Sequence, residues 1–246
     1  MGTEPPTDPL PGPTWVVIPT YNEADTIAGL VDAVRRELPD DRRVLVVDDA
    51  SPDGTGEIAA ALAREHDDVE VLHRREKLGL GPAYVAGFRV ALDGGAARVV
   101  QMDADFSHDP QALPALLAAL ADADLVLGSR YVSGGDVHDW GAGRRAISRL
   151  GSKYARMALG VRVHDLTGGY KVWRRATLEE IDIEAVSATG YAFQVETTYR
   201  AIKAGFRVRE VPITFRDRRI GASKMTRSIV FEAAWQVPAM RLRRHL

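Results

Sequence analysis

The chain has 246 residues, 46% apolar and 27% charged, which fits a folded domain with a real core and excludes a disordered or fibrous protein. It contains no cysteine, which excludes disulfides and thiolate metal sites, and no apolar stretch reaches the roughly 18–20 residues of a membrane span. Net charge is −2, but residues 1–129 carry 10 Lys and Arg against 23 Asp and Glu, whereas residues 130–246 carry 22 against 11. That asymmetry points to an anionic partner on the basic half.

Residues 1–14 hold five prolines and no apolar run, so they are expected to be a disordered tail and not a signal peptide. Trp15–Pro19 is a short apolar run and reads as a strand. Asn22 is placed as the N-cap of a helix to about Leu38, with Asp25 completing a capping box. Val44–Val47 is a second strand, closed by Asp48-Asp49. Pro52-Asp53-Gly54 is turn chemistry before a helix to about His66. Val69–His73 is a third strand, Gly81–Asp93 a third helix and Arg98–Met102 a fourth strand. A fourth helix begins near Pro110, with Leu113, Leu116, Leu117 and Leu120 on one face. Leu125–Gly128 is a fifth strand.

Strands and helices alternating at this spacing predict an α/β fold with a mainly parallel sheet flanked by helices. Ser129–Gly143 is read as a loop. Arg144–Gly160 is an amphipathic helix with Ile147, Leu150, Tyr154, Met157, Ala158 and Val161 on one face. Tyr170–Trp173 and Val208–Ile213 read as further strands, with a helix near Glu196–Ala204 between them. Met225–Leu242 reads as helical. The expected organisation is a disordered tail over 1–14, one domain over 15–225 and a C-terminal helical extension over 226–246.

The tripeptide Asp-Ala-Asp occurs at 103–105 and again at 122–124. Ligands of open α/β sheets sit at the carboxyl ends of the parallel strands. Asp103 and Asp105 follow strand four directly, and residues i and i+2 of extended chain point the same way, roughly 6–7 Å apart. They can hold a cation. Asp122 and Asp124 precede strand five at the opposite edge and are expected to be solvated loop carboxylates. The other strand ends, Pro19-Thr20-Tyr21-Asn22-Glu23, Asp48-Asp49 and Gly128-Ser129-Arg130-Tyr131, converge on the same rim as Asp103 and Asp105. Carboxylates, an aromatic ring and an arginine there fit a nucleotide-diphosphate pocket. A hydride-transfer enzyme needs a Gly-rich turn after strand one and a P-loop enzyme needs its own signature; neither is present. Gly79-Leu80-Gly81 reads as a helix-start turn. His108, His164 and Glu196 are read as structural, Asp53 as a turn or cap residue, and Asp48 as turn or site. Asp165 is open between a base and a loop support.

The ordered motifs VIPTYNE (17–23), VVDDASPDGT (46–55), MDADFSHDP (102–110), LGSRY (127–131), DLTGGYKVW (165–173) and DRRIGASK (217–224) resemble those of the dolichyl- or polyprenyl-phosphate mannosyltransferases of glycosyltransferase family 2, across about residues 15–225. The resemblance implies a GT-A fold and inverting transfer of mannose from GDP-mannose to a polyprenyl phosphate, with Mg²⁺ or Mn²⁺. It assigns Pro19, Tyr21, Glu23, Val47, Asp49, Asp103, Ala104, Asp105 and Phe106 to the nucleotide sugar. It assigns Asp103 and Asp105 to the metal, with Ser107 where some relatives carry Gln. Arg130, Arg144, Arg218 and Lys224 match positions that meet donor or acceptor phosphates. Asp105, Arg130, Arg218 and Lys224 are the expected catalytic set. A UDP-sugar-dependent relative, or a non-catalytic module binding nucleotide sugar or lipid phosphate, are the alternatives. Nucleic acid is not expected, since basic and aromatic residues do not interleave.

The acceptor implied is a membrane lipid. Peripheral contact on the cytoplasmic face, or a separate membrane-embedded subunit, is therefore expected. Arg145, Arg149, Lys153 and Arg156 form a basic stripe on the 144–160 helix, which is open between core packing and membrane contact. Ile229–Met240 is nearly all apolar and followed by Arg241, Arg243 and Arg244, and it is favoured as the membrane or partner contact.

Overall fold

The computed structural model describes residues 12–186, 190–217 and 237–241. Arg218 and Lys224, most of the expected tail and most of the 226–246 extension lie outside them.

Seven strands form one sheet: β1 (Thr14–Thr20), β2 (Arg42–Asp48), β3 (Val69–His73), β4 (Arg98–Gln101), β5 (Leu125–Ser129), β7 (Lys171–Arg174) and β8 (Val208–Pro212). Their spatial order is β3-β2-β1-β4-β7-β5-β8. The neighbouring pairs are parallel except that β7 runs antiparallel between β4 and β5. A second small sheet pairs β6 (Asp136–Val137) with β9 (Thr214–Phe215). The helices are α1 (Ile27–Glu37), α2 (Thr55–Glu65), α3 (Leu80–Asp93), α4 (Leu113–Ala118), α5 (Ala142–Leu159), α6 (Arg175–Glu180) and α7 (Gly190–Lys203).

The central strands are apolar without alternation because both faces are covered. Trp15, Val17, Leu45, Val47, Leu127 and Trp173 face one core with α3 and α7, and Val16, Ile18, Val44, Val46, Val126 and Val172 face the other with α1 and α4. Close packing of α3 on the sheet requires Gly87, where a Cβ would lie 2.4 Å from Val17 Cγ1. The chain order reverses between β1 and β4, since the chain winds outward through β2 and β3 and then returns to the other side of β1. A crevice forms at the carboxyl ends of the strands beside such a switch point. Antiparallel β7 adds its amino end, residues 165–169, to the same rim.

Several boundaries differ from expectation. β1 begins at Thr14, which is fully buried, so the tail ends earlier than the sequence suggests. Asn22 is not an N-cap: its φ is 59° and α1 starts at Ile27. The amides of residues 22–24 are taken instead by the next loop, with Asn22 N donating to Ser51 Oγ (3.2 Å), Glu23 N to Thr55 Oγ1 (2.9 Å) and Ala24 N to Asp53 Oδ2 (3.1 Å). This ties the β1 and β2 loops into one unit, a long-range pairing that no local capping pattern reveals. β6 lies inside the expected 129–143 loop; two-residue strands carry no periodic signal.

Candidate active site

A cleft of about 310 Å³ opens at the switch point. Pro19, Tyr21, Glu23, Asp49, Asp103, Ala104, Asp105, Ser107, Arg130 and Arg144 line it. The structure thus brings most of the expected site residues into one cleft. Two do not reach it. Val47 is fully buried in the core beneath, and Phe106, at a φ of 58°, turns its ring into the α1-side core.

The β2 end anchors one side of the cleft. Asp49 is 3% exposed and accepts from Arg74 Nη1 (2.6 Å), Gly79 N (2.8 Å) and Leu78 N (3.3 Å). It therefore pulls the 74–79 loop over the cleft, and Gly79, with φ 94°, is the turn into α3. Lys77, on that loop, sits 3.6 Å from the centroid of the Tyr21 ring, a cation–π contact at the mouth. Asp48, in contrast, accepts from Thr20 Oγ1, Ser51 N and Ser51 Oγ and serves the turn. Asp53 accepts from Thr55 N and Oγ1 as a turn residue and also from Ala24 N.

The β4 end presents the carboxylates. Asp105 is 5% exposed and accepts from Ser107 N at 3.0 Å. Asp103 Oδ1 accepts from Tyr84 Oη at 2.8 Å, and its backbone N donates to His108 Nδ1 at 3.0 Å. Burial and the adjacent Asp103 charge hold the Tyr84 phenol well above its usual range, so it stays a donor. Burial also lowers the His108 imidazole, against the opposing pull of Asp103 and Asp105. His108 is neutral at pH 7, and since Nδ1 accepts, Nε2 carries the proton. It stacks on Tyr170 with centroids 4.8 Å apart. Its role is to orient Asp103, in line with the structural reading.

The far end of the cleft is basic and aromatic. Arg130 and Asp165 form a buried bidentate pair: Arg130 Nε to Oδ2 at 2.7 Å, Nη2 to Oδ1 at 2.7 Å, and Arg130 N to Oδ2 at 3.0 Å. Burial alone would raise the Asp165 carboxyl, but the Arg130 charge and these hydrogen bonds outweigh it and hold Asp165 below the usual carboxylate range. An anion pinned this way is a poor base. The Arg130 guanidinium lies 5.3 Å from the Phe215 centroid and 5.8 Å from that of Trp140. Arg144 opens α5, stacks 4.2 Å from the Trp140 centroid and pairs with Asp217 at 2.7 Å.

Sequence reasoning missed Tyr84, Lys77, Trp140, Thr167, Gln194, Phe215 and Asp217. Trp140 and Phe215 were detectable as large aromatics in polar surroundings. Tyr84 was not, because helical periodicity assigns it to the core. The second Asp-Ala-Asp lies at the opposite sheet edge but is not simply solvated. Asp124 accepts from Arg207 N (2.9 Å), Nε and Nη2, and lies 3.6 Å from Arg174, while Asp122 pairs with Arg209. Glu196 is buried against Arg200, and His164 Nδ1 lies 2.9 Å from Glu210.

The donor set of Asp103 and Asp105 is two hard oxygen ligands, the chemistry of Mg²⁺ or Mn²⁺. Among the described residues, no third His, Asp or Glu joins them in a cluster.

The profile described as "Glycosyl transferase family 2" matches residues 15–182. The chain is 48% identical over 235 residues to a polyprenol monophosphomannose synthase of Mycolicibacterium smegmatis, covering 95% of this chain and 88% of that protein. It is 49% identical over 221 residues to an undecaprenyl-phosphate mannosyltransferase of Micrococcus luteus, covering 90% of each. Among solved structures, glucosyl-3-phosphoglycerate synthase of Mycobacterium tuberculosis, in complex with Mn²⁺, UDP and phosphoglyceric acid, superposes with a TM-score of 0.69 at 21% identity, over 96% of this chain and 79% of that one. The same enzyme with Mn²⁺, UDP-glucose and phosphoglyceric acid gives 0.66, over 96% and 80%. The profile spans more than half of the chain and the relatives align along nearly all of it, so the chain belongs to glycosyl transferase family 2, as a glycosyltransferase with the GT-A fold.

Proposed function

We propose that this chain transfers mannose, with inversion, from GDP-mannose to the phosphate of a membrane polyprenol. The observation that carries the reading is the polarity of one cleft: carboxylates Asp103 and Asp105 on one side of the switch point, Arg130 and Arg144 on the other. Two relatives near half identity are named for mannosyl transfer to polyprenol or undecaprenyl phosphate. Structures of the same fold contain Mn²⁺ with a uridine nucleotide.

In this reading Tyr21, Glu23 and Asp49 line the nucleotide end. Asp103 and Asp105, with Ser107 beside them, would hold a divalent ion, which supplies charge neutralisation for the departing diphosphate. Tyr84 would hold the Asp103 carboxylate for that role, and His108 its backbone amide. Arg130 and Arg144 meet phosphate oxygens, for which a planar guanidinium is suited. The family resemblance assigns the same phosphates to Arg218 and Lys224, which lie outside the described residues. The acceptor is a phosphate monoester whose second pKa is about 6, so it is a dianion at pH 7 and attacks without a general base. The cleft agrees: Asp165 is committed to Arg130, and His108 to the amide of Asp103. Because the acceptor tail stays in a bilayer, the chain works at the cytoplasmic membrane face; among the described residues no helix is long and apolar enough to cross it.

The test is incubation of the purified chain with radiolabelled GDP-mannose or UDP-glucose, Mn²⁺ or Mg²⁺, and undecaprenyl phosphate in detergent. The expected product is lipid-extractable, mannose-labelled, dependent on metal and β-linked by NMR. Product from the UDP sugar alone would overturn the donor assignment. Nucleotide-sugar binding with no product from any donor would make the chain a binding module.

A further inference from the structure

Helix α5 has three faces. At about 100° per residue, Ser152, Ala155 and Leu159 share one side and are buried. Ile147, Leu150, Tyr154 and Met157 share the opposite side, where they are 54%, 63%, 43% and 68% exposed. Between the two run Arg145, Arg149 and Lys153, all exposed, with Arg156 half-buried behind them. Single exposed apolar residues are ordinary on a protein surface; a continuous row of four large ones along one helix is not. The sequence pattern leaves this helix open between core packing and membrane contact, and in the structure the row is exposed.

The C-terminal segment favoured from sequence for membrane contact behaves in the opposite way where it is described. Val237 and Met240 are each 2% exposed and belong to the same core cluster as Ala155 and Leu159. Arg241 Nη1 donates to Ala158 O at 3.2 Å. This stretch lies against α5 and keeps those two apolar side chains inside.

Two further observations say what covers the row. Its flank is basic, four side chains in three turns with no acidic residue anywhere in α5, so the complementary surface is anionic as well as apolar. The helix also begins at the cleft: Arg144, in its first turn, and Trp140, just before it, line the pocket. An acceptor phosphate at Arg144 would have its lipid tail emerging beside Ile147.

We propose that α5 lies flat on an anionic lipid bilayer, with Ile147, Leu150 and Met157 in the acyl boundary and Arg145, Arg149 and Lys153 on lipid phosphates. This rests on the acceptor being a membrane lipid. It identifies the surface that brings the cleft down to the acceptor's phosphate, so that the polyprenyl tail never leaves the membrane. The arrangement matches the physics of interfacial helices, in which apolar insertion and electrostatic attraction add.

The experiment is sedimentation of the full chain with vesicles of phosphatidylcholine alone, or of phosphatidylcholine with phosphatidylglycerol, holding neither donor nor acceptor. Wild type is expected to bind the anionic vesicles preferentially, with binding falling as salt rises. Arg149→Glu with Lys153→Glu should weaken that binding by about 30-fold or more, from the loss of two basic contacts. Ile147→Ser with Leu150→Ser and Met157→Ser should weaken it by at least about 10-fold. Melting temperature should be unchanged, since these side chains are exposed. The triple variant should show a raised KM for undecaprenyl phosphate in vesicles, and unchanged turnover of a short water-soluble isoprenyl phosphate. Wild-type binding by both variants would overturn the proposal. So would a wild-type dimer that the triple variant breaks without change in vesicle binding. Weakened binding in a chain that makes no lipid product would leave the docking surface standing and remove the proposed activity; normal binding by the variants of an active enzyme would do the reverse.

Discussion

Asp165→Asn is the most informative single change, because Arg130 is buried and this carboxylate is its counter-ion. The side chains are 6% and 0% exposed, and the two carboxylate oxygens accept three hydrogen bonds from Arg130. Removing one partner of such a pair leaves an uncompensated buried charge, at a cost of about 3–5 kcal/mol. For a domain of this size that is about 6–20 °C in melting temperature. Urea unfolding should show a lower midpoint with an unchanged m-value. The pH dependence has a definite sign. Asp165 has a depressed pKa in the folded state, so its contribution is present above the unfolded carboxylate value of about 3.9 and is lost as pH falls through the folded pKa. The gap between wild type and Asp165→Asn should therefore close only in acid, below about pH 4. A double change, Arg130→Met with Asp165→Leu, should recover much of the stability, since buried pairs are often replaceable by apolar side chains, yet not the transfer activity. An Asp165→Asn midpoint equal to wild type would refute the reasoning, because it would mean that Arg130 does not depend on this carboxylate.

Three more outcomes are expected. Asp105→Ala should abolish product formation, whereas Asp124→Ala should retain most of the rate at 25 °C and show its effect in the melting curve; equal loss of rate would refute the division of roles between the two sheet edges. Tyr84→Phe removes the hydrogen bond to Asp103 Oδ1 and should weaken Mn²⁺ binding in the presence of GDP, read by electron paramagnetic resonance, by about 10–100-fold. Lys171 is fully buried, donates to Gln194 O (2.8 Å) and Thr197 Oγ1 (3.0 Å), and is held well below its usual pKa by burial; unfolding then takes up a proton between that depressed value and about 10.4, so wild-type stability should rise with pH across this window by up to about 1.4 kcal/mol per unit, a slope that Lys171→Met should lack.

The sequence made the sheet legible because its signal is one-dimensional. Val44–Val47 is apolar throughout, as a strand covered on both faces requires, and the strand edges then followed from the chain direction. Asp103, Asp105 and Arg130 were readable for the same reason: each stands at the carboxyl end of a strand. What could not be read depends on contacts distant in the chain. The antiparallel run of β7 leaves no local mark. Asn22 has the spacing of a helix cap, but its amide is 29 residues from its partner Ser51 in sequence. Periodicity placed Ile147, Leu150, Tyr154 and Met157 on one face of a helix, yet the face that packs is the other one, built from Ser152, Ala155 and Leu159. A hydrophobic stripe states that something must cover it and is silent on whether that is protein.

The two Asp-Ala-Asp tripeptides show how one sheet joins its edges. At the lower edge Asp124 receives the Arg207 amide, and so fixes where β8 begins beside β5. That register places Glu210 opposite Leu127. Glu210 in turn accepts from the backbone N of His164 (2.8 Å) and Asp165 (2.9 Å). Asp165, thus placed, holds Arg130 at the upper edge, in the cleft wall opposite the first tripeptide. A one-residue slip of β8 would turn Glu210 to the other face of the sheet and release this chain of contacts. The lower carboxylates therefore do not bind substrate, but they set the register on which the arginine of the site depends. Damage at Asp124 should reach the cleft only through the fold, which is why its signature belongs in stability and not in the rate.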